Sequence, residues 1–274
     1  MERDDSLDDP DRLRGRAEVL DRIETCFPRV FDCVAEHTDL DRRAIALRAR
    51  LETVNRRVHD VLRDTLQAGH GGERLMRLAM PHGPIDTEGY DHLDDLLAGV
   101  LPFAPPDDVG ETPPEMVFYQ PTPARHVFDL IRRTAPCADD VVVDLGSGLG
   151  HVPLMIALCT PARAVGIERE TAYFTRARQC AAALNLDRIQ FIRQDARDAD
   201  FSTGTLFYLY TPFSGSILRC VLDALQGEAN HRAIRVCAYG PCGDVIARET
   251  WLEPMEPPKT NRVAIFRSRD GKPR

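Results

Sequence analysis

Lysine is almost missing from this chain. All but two of its 35 basic residues, Lys259 and Lys272, are arginine. Acidic residues number 43, which leaves a formal net charge of −8. That balance excludes broad binding along a phosphate backbone, which needs a positive surface. Cys-x-x-Cys pairs are also missing. The eight cysteines are scattered, and the closest, Cys26 with Cys33 and Cys237 with Cys242, lack zinc-finger spacing. Cys159, Cys180 and Cys237 sit in apolar contexts, so free thiols in a reducing compartment are expected. No metal motif is present, and no metal ligand is expected. No run is long and apolar enough to span a bilayer, so no membrane partner is expected. Residues 2–11 are polar and acidic, unlike a signal peptide. The expected location is cytoplasmic. There is no internal repeat.

The first hundred or so residues read as helical. Residues 11–26 and 29–36 predict two short helices interrupted by Pro28. Residues 41–66 carry the strongest helical signal, with Asp39 or Asp41 as N-cap. Leu47, Leu51, Val54, Val58 and Val61 form a heptad stripe. The stripe predicts packing on neighbouring helices, or else a homodimer or partner contact. Residues 69–83 read as a glycine-containing loop with one short helical piece, and 86–101 as another helix. The Pro-rich acidic stretch 102–114 reads as a linker.

The most informative segment follows. Val141, Val142 and Val143 form an apolar run that predicts a buried parallel strand. The run ends in Asp144, Leu145, Gly146, Ser147, Gly148, Leu149 and Gly150. Glycines at alternate positions permit a tight turn and close backbone approach to a ligand. A helix beginning at His151 points its N-terminus at the same place. This is the pattern of a nucleotide-type site at the carboxyl end of a strand. It departs from the dinucleotide fingerprint, because the third glycine comes one residue early.

The flanking sequence continues an α/β order. Residues 164–168 predict a second strand ending in Glu168. An acid about twenty residues past such glycines commonly holds ribose hydroxyls. A helix over 171–184 places Tyr173, Ala177, Cys180, Ala181 and Leu184 on one face. A third strand over 189–192 leads into Gln194, Asp195 and Ala196, with Asp198 and Asp200 nearby. Residues 205–210 predict a fourth strand, then a turn at Thr211, Pro212 and Phe213. A helix over 214–225 and a fifth strand over 232–239 follow, with antiparallel sixth and seventh strands at 249–252 and 262–267.

Taken in order, these motifs resemble class I methyltransferases, which use S-adenosyl-L-methionine (SAM). The resemblance covers roughly residues 121–267. It implies an α/β fold: a Rossmann-like seven-stranded class I methyltransferase sheet, here with an N-terminal all-α domain. It divides the chain into a helical domain (1–101), a Pro-rich linker and SAM-covering segment (102–120) and a methyltransferase domain (121–274). It implies that Gly146, Gly148 and Gly150 form the loop around the methionine end of SAM. Asp144 would organise that loop or the methionine amino group, and Ser147 is either a spacer or a cofactor donor. Glu168 would hold the ribose. Asp195, followed by Ala196, would meet the adenine. Tyr210, Thr211 and Phe213 would line the methyl-transfer channel, with Tyr210 orienting an amine or acting as base.

A second resemblance concerns the acceptor. The segment Val117, Phe118, Tyr119, Gln120, Pro121, Thr122 and Pro123 precedes the glycine loop. Tyr-x-Pro-Thr before such a loop is similar to seven-strand protein-lysine methyltransferases. These include the histone-core type and the type acting on ATP-synthase c-subunit and adenine-nucleotide translocase. It implies that Tyr119 and Thr122 contact SAM and that the acceptor is a protein amine. Thr211-Pro212-Phe213 matches only part of the Asn/Asp/Ser-Pro-Pro-aromatic motif of enzymes that methylate amino groups on nucleic acids. A small-molecule acceptor, with the N-terminal helices as a lid, is the alternative. A non-catalytic SAM-binding interaction protein is the other.

Overall fold

A computed structural model describes residues 5–27, 38–80, 89–103, 115–257, 259 and 261–269. The expected helix at 29–36, residues 81–83 of the glycine-containing loop, the start of the 86–101 helix and linker residues 104–114 lie outside them. The helices α1 (Leu13–Cys26), α2 (Asp39–Gln67), α3 (Gly72–Leu78) and α4 (His92–Val100) come first. The N-cap of α2 is Thr38, one residue before Asp39 and three before Asp41. Thr38 Oγ1 accepts from the Asp41 amide at 3.2 Å, and the Asp41 carboxylate accepts from the Thr38 amide at 2.9 Å. This reciprocal box satisfies two otherwise orphaned donors.

The heptad stripe is used inside the chain. Leu47 and Leu51 pack with Leu7, Ile23 and Ala44, and Val58 joins the larger core. Val61 is 48% exposed, whereas Leu62 and Leu66 are buried. A straight helix of 3.6 residues per turn drifts away from a strict 3.5 repeat, so the buried stripe passes from 58 to 62. Arg16 is fully buried yet satisfied. It donates to Asn55 Oδ1 at 2.6 Å and to the carbonyls of Leu7, Asp9 and Pro10.

The rest is a seven-stranded α/β unit. Helix α5 (Ala124–Thr134) precedes β1 (Val141–Leu145), α6 (His151–Cys159), β2 (Arg163–Glu168), α7 (Thr171–Ala183) and β3 (Ile189–Arg193). Then come β4 (Leu206–Tyr210), α8 (Gly215–Ala229), β5 (Arg235–Tyr239), α9 (Cys242–Ile246), β6 (Leu252–Pro254) and β7 (Ala264–Ser268). The strand order is β3-β2-β1-β4-β5-β7-β6. Strands β1 to β5 are parallel, and β7 is antiparallel to both β5 and β6. The expected antiparallel sixth strand therefore needs a correction. It is antiparallel to its neighbour β7, so it runs in the direction of β1 to β5, and β7 alone is reversed. This is the Rossmann-like seven-stranded arrangement of class I methyltransferases.

Side chains alternate between the two faces, as strand geometry requires. Val142, Leu206 and Tyr208 join the core on one face, and Val141, Val143, Phe207 and Leu209 the core on the other. The first core also holds Leu62, Leu66, Leu75, Leu96 and Leu97 from the N-terminal helices. They pack there with Val127 and Leu130 of α5 and Leu154 and Met155 of α6. A buried charge cluster ties α5 to the segment before β7. Asp129, 3% exposed, accepts two hydrogen bonds from Arg262 at 2.7 Å and one from Arg133 at 3.2 Å.

Candidate functional site

Strand order reverses between β1 and β4, where an open α/β sheet leaves a crevice at its carboxyl edge. A cavity of about 690 Å³ lies there. The loops after β1, β2, β3 and β4 line it, together with the segment 116–122. Eleven of the thirteen expected site residues reach it: Tyr119, Thr122, Asp144, Gly146, Ser147, Glu168, Asp195, Ala196, Tyr210, Thr211 and Phe213. Gly148 and Gly150 do not line it. A Cβ on either would strike a neighbouring ring, Tyr119 at Gly148 and Phe191 at Gly150.

The glycine loop is clamped on two sides. Gly146 has φ +78, and a Cβ there would fall 2.3 Å from Pro212 Cβ. Gly148 has φ +54, and a Cβ there would fall 2.0 Å from Tyr119 Cε2. Both positions combine a left-handed backbone with contact too close for a side chain. The Gly148 amide donates to Glu168 at 2.8 Å, and the Glu170 amide donates to the other carboxylate oxygen at 2.6 Å. Burial pushes the Glu168 pKa up, and these amides oppose the rise. Asp144 is 5% exposed. Burial first, and the Glu168 charge second, push its pKa well above the usual carboxylate range. Ser147 Oγ is buried with no hydrogen-bond partner among the described residues.

Residues 115–122 run as a strap over this loop. Ser214 donates to the Glu115 carbonyl at 2.9 Å, and Val117 donates to the Pro212 carbonyl at 3.1 Å. Met116 pairs with Phe213 in an isolated bridge. Further along, Thr122 Oγ1 and Tyr208 Oη are 2.9 Å apart. Between these anchors Tyr119 turns inward, its ring centroid 4.6 Å from that of Tyr173.

The turn after β4 is strained. Thr211 has φ +37, a sparsely populated conformation for a β-branched residue that costs about 1–3 kcal/mol. Its hydroxyl holds the turn by donating to the Tyr239 carbonyl and accepting from the Cys242 amide, each at 3.1 Å. Tyr210 stacks on Tyr239 with centroids 4.8 Å apart. Its phenol is pushed up to about 12, mainly by burial. Phe213 is 2% exposed and belongs mostly to the core beneath the turn. On the far side, Asp195 is held by Arg197, whose Nε and Nη2 lie at 3.0 and 2.9 Å. Those bonds keep its carboxyl below the usual range.

Sequence reading passed over Tyr208, His151, Tyr173 and Gln194, which also line the cavity. Tyr208 stands inside an apolar strand and His151 opens a helix, so neither carries a local signal. The five-residue α9 was missed because it is too short to show a period. Among the described residues no group of His, Cys, Asp and Glu could hold a metal ion, and no helix is long and apolar enough to cross a membrane.

Among solved structures the chain is similar to several methyltransferases. An RNA methyltransferase from Salinibacter ruber, in complex with S-adenosyl-L-homocysteine, is 24% identical with a TM-score of 0.45. The match covers 54% of this chain and 92% of that one. TYW2 of P. horikoshii, in complex with MeSAdo, is 18% identical over 56% of this chain and 63% of that one, TM-score 0.41. Precorrin-6y C5,15-methyltransferase from Geobacter metallireducens is 16% identical over 59% and 94%, TM-score 0.43. At these values the likeness concerns the fold alone. No family model and no curated protein matches the chain.

Proposed function

We propose that the chain is a SAM-dependent methyltransferase whose acceptor is an amine of a protein, of the lysine type. The observation that carries the cofactor is the pair of buried carboxylates, Asp144 and Glu168, beside the glycine loop. A pyrophosphate would meet two carboxyl groups rather than a row of free donors, and the Gly148 amide that could bind it is already given to Glu168. A ligand with ribose hydroxyls and a cationic amino-acid end suits the same groups. Glu168 accepts from the ribose, Asp144 faces the methionine ammonium, and the free Ser147 hydroxyl supplies a further donor. When bound, SAM offers a methyl group on a positively charged sulfur. The chain's own task is to hold the acceptor about 3 Å from that methyl and exclude water.

The acceptor reading rests on what surrounds Tyr210. Transfer to a plain hydroxyl needs a base at the acceptor atom. Tyr210 is the ionisable member of the Tyr210–Phe213 turn, and its high pKa keeps it a neutral phenol. A neutral phenol orients a lone pair and removes no proton in advance. An amine, which brings its own lone pair once deprotonated, fits that environment. The Tyr-x-Pro-Thr strap supports the protein-lysine type.

Two experiments test the reading. Purified protein incubated with methyl-labelled SAM and an extract of its own host should give label in a protease-sensitive band. Label only in the small-molecule fraction would overturn the protein acceptor and favour a metabolite. The second concerns pH. Burial raises the Asp144 pKa in the free protein, and a neighbouring ammonium favours the ionised form. SAM binding should therefore release a proton, and affinity should rise as pH climbs through the raised Asp144 pKa. Calorimetry in buffers of different ionisation heat measures that release. Asp144→Asn should flatten the dependence, apart from what Glu168 contributes; an equally steep dependence in the variant would remove Asp144 from the ammonium site.

A further inference from the structure

We propose that His151 is a positioning residue for the cofactor: it fixes the Tyr119 ring over the glycine loop and so holds the middle of the strap closed. The proposal rests on the reading of the cleft as a SAM site. The strap is anchored near its start by the Glu115 carbonyl and the Val117 amide, and at its end by Thr122 on Tyr208. Between those anchors Phe118 is 79% exposed and holds nothing down. Tyr90 Oη donates to the Pro121 carbonyl at 3.0 Å; Tyr119 turns inward, and the polar side chain that meets its hydroxyl is His151, with Nδ1 at 3.3 Å.

The bond forms with either neutral tautomer: the phenol donates to a bare Nδ1, or a protonated Nδ1 donates to the phenol oxygen. Burial pushes His151 down to about 4, so its ring is neutral near neutral pH. Burial also raises the Tyr119 pKa, so the phenol keeps its proton. His151 is in turn set by packing: it is the first residue of α6 and its ring lies 4.7 Å from that of Phe103. Phe103 follows the last described N-terminal helix. Four rings, Phe103, His151, Tyr119 and Tyr173, thus run from the helical segment to the Glu168 side of the cleft. The order of the strap is coupled through His151 to the packing of the N-terminal helices.

The test is a double-mutant cycle read by SAM affinity, which needs no acceptor. Calorimetry would compare the full-length protein with Tyr119→Phe, His151→Phe and the double variant. One neutral hydrogen bond contributes about 1 kcal/mol, so each single change should weaken SAM binding about fivefold. The double variant should bind no worse than the weaker single one, because both remove the same bond. His151→Asn, which keeps a polar group near the Nδ1 position, should restore affinity to within about twofold of the unchanged protein. Losses that multiply in the double variant, or wild-type affinity in His151→Phe, would overturn the proposal. If His151→Phe fails to fold, the Asn variant and its cycle with Tyr119→Phe decide between the same outcomes. Absence of SAM binding by the unchanged protein would sink the cofactor reading itself, and this inference with it.

Discussion

Replacing Glu168 with alanine is expected to lower SAM affinity about 100-fold. A hydrogen bond to a charged group contributes about 1.5–3 kcal/mol, so a carboxylate shared by two ribose hydroxyls contributes at least about 3 kcal/mol. The loss should be confined to binding. Glu168 is a buried acid whose pKa burial raises, so removing it also removes a desolvation cost. The thermal midpoint should stay within a few degrees of the unchanged protein. Part of the deficit would come from the Gly148 amide, which loses the acceptor now 2.8 Å away. Glu168→Gln keeps one acceptor oxygen and should lose about tenfold. Equilibrium binding of labelled SAM reads both variants, and unchanged affinity in the alanine variant would remove Glu168 from the ribose.

The second large effect lies away from the cleft. Asp129→Ala should destabilise the fold by about 3 kcal/mol, because the Arg262 and Arg133 guanidiniums lose their buried shared anion and keep only the half-exposed Glu256. For a chain of this size that lowers the thermal midpoint by roughly 10 °C. Burial pushes the Asp129 pKa up, but the hydrogen bond and charge of Arg262, with Arg133, hold it below the usual carboxylate value. A depressed native pKa gives stability that is present above the unfolded value, about 3.9, and is lost as pH falls through the native one. The gap between variant and unchanged protein should therefore narrow in acid, beginning near pH 4. Chemical denaturation across that range measures it. A constant gap would mean that the cost comes from packing alone.

Much of this architecture was legible in the chain. The apolar run at Val141–Leu145 and the acids at strand ends follow from burial on both faces and from the crevice at the carboxyl edge. The hydrophobic order alone places β1 to β5. What stayed hidden depends on contacts between distant segments. The direction of β6 could not be read, because three residues carry too little pattern and β7 decides the pairing. Thr211 gave no sign of its positive φ, since its strain is held by Tyr239 and Cys242. His151 and Tyr208 reveal themselves only once the strap lies across the loop. Val61 and Leu62 show the opposite failure: a strict heptad picked the first, and real helix geometry buries the second.

The place of β7 has a consequence for how a ribosome makes this protein. Strand β7 sits between β5 and β6 in the sheet but follows both in the chain. Until residues 264–268 leave the exit tunnel, β5 has no partner on its outer side and β6 has none at all. Tyr239 ends β5 and supports both Tyr210 and Thr211. At synthesis speeds of about 5–20 residues per second, the nascent chain spends seconds with a bare sheet edge beside the cleft that Tyr210 and Thr211 line. Chaperones that shield unpaired strands should engage this protein late in translation, and release it only when the reversed strand slots in.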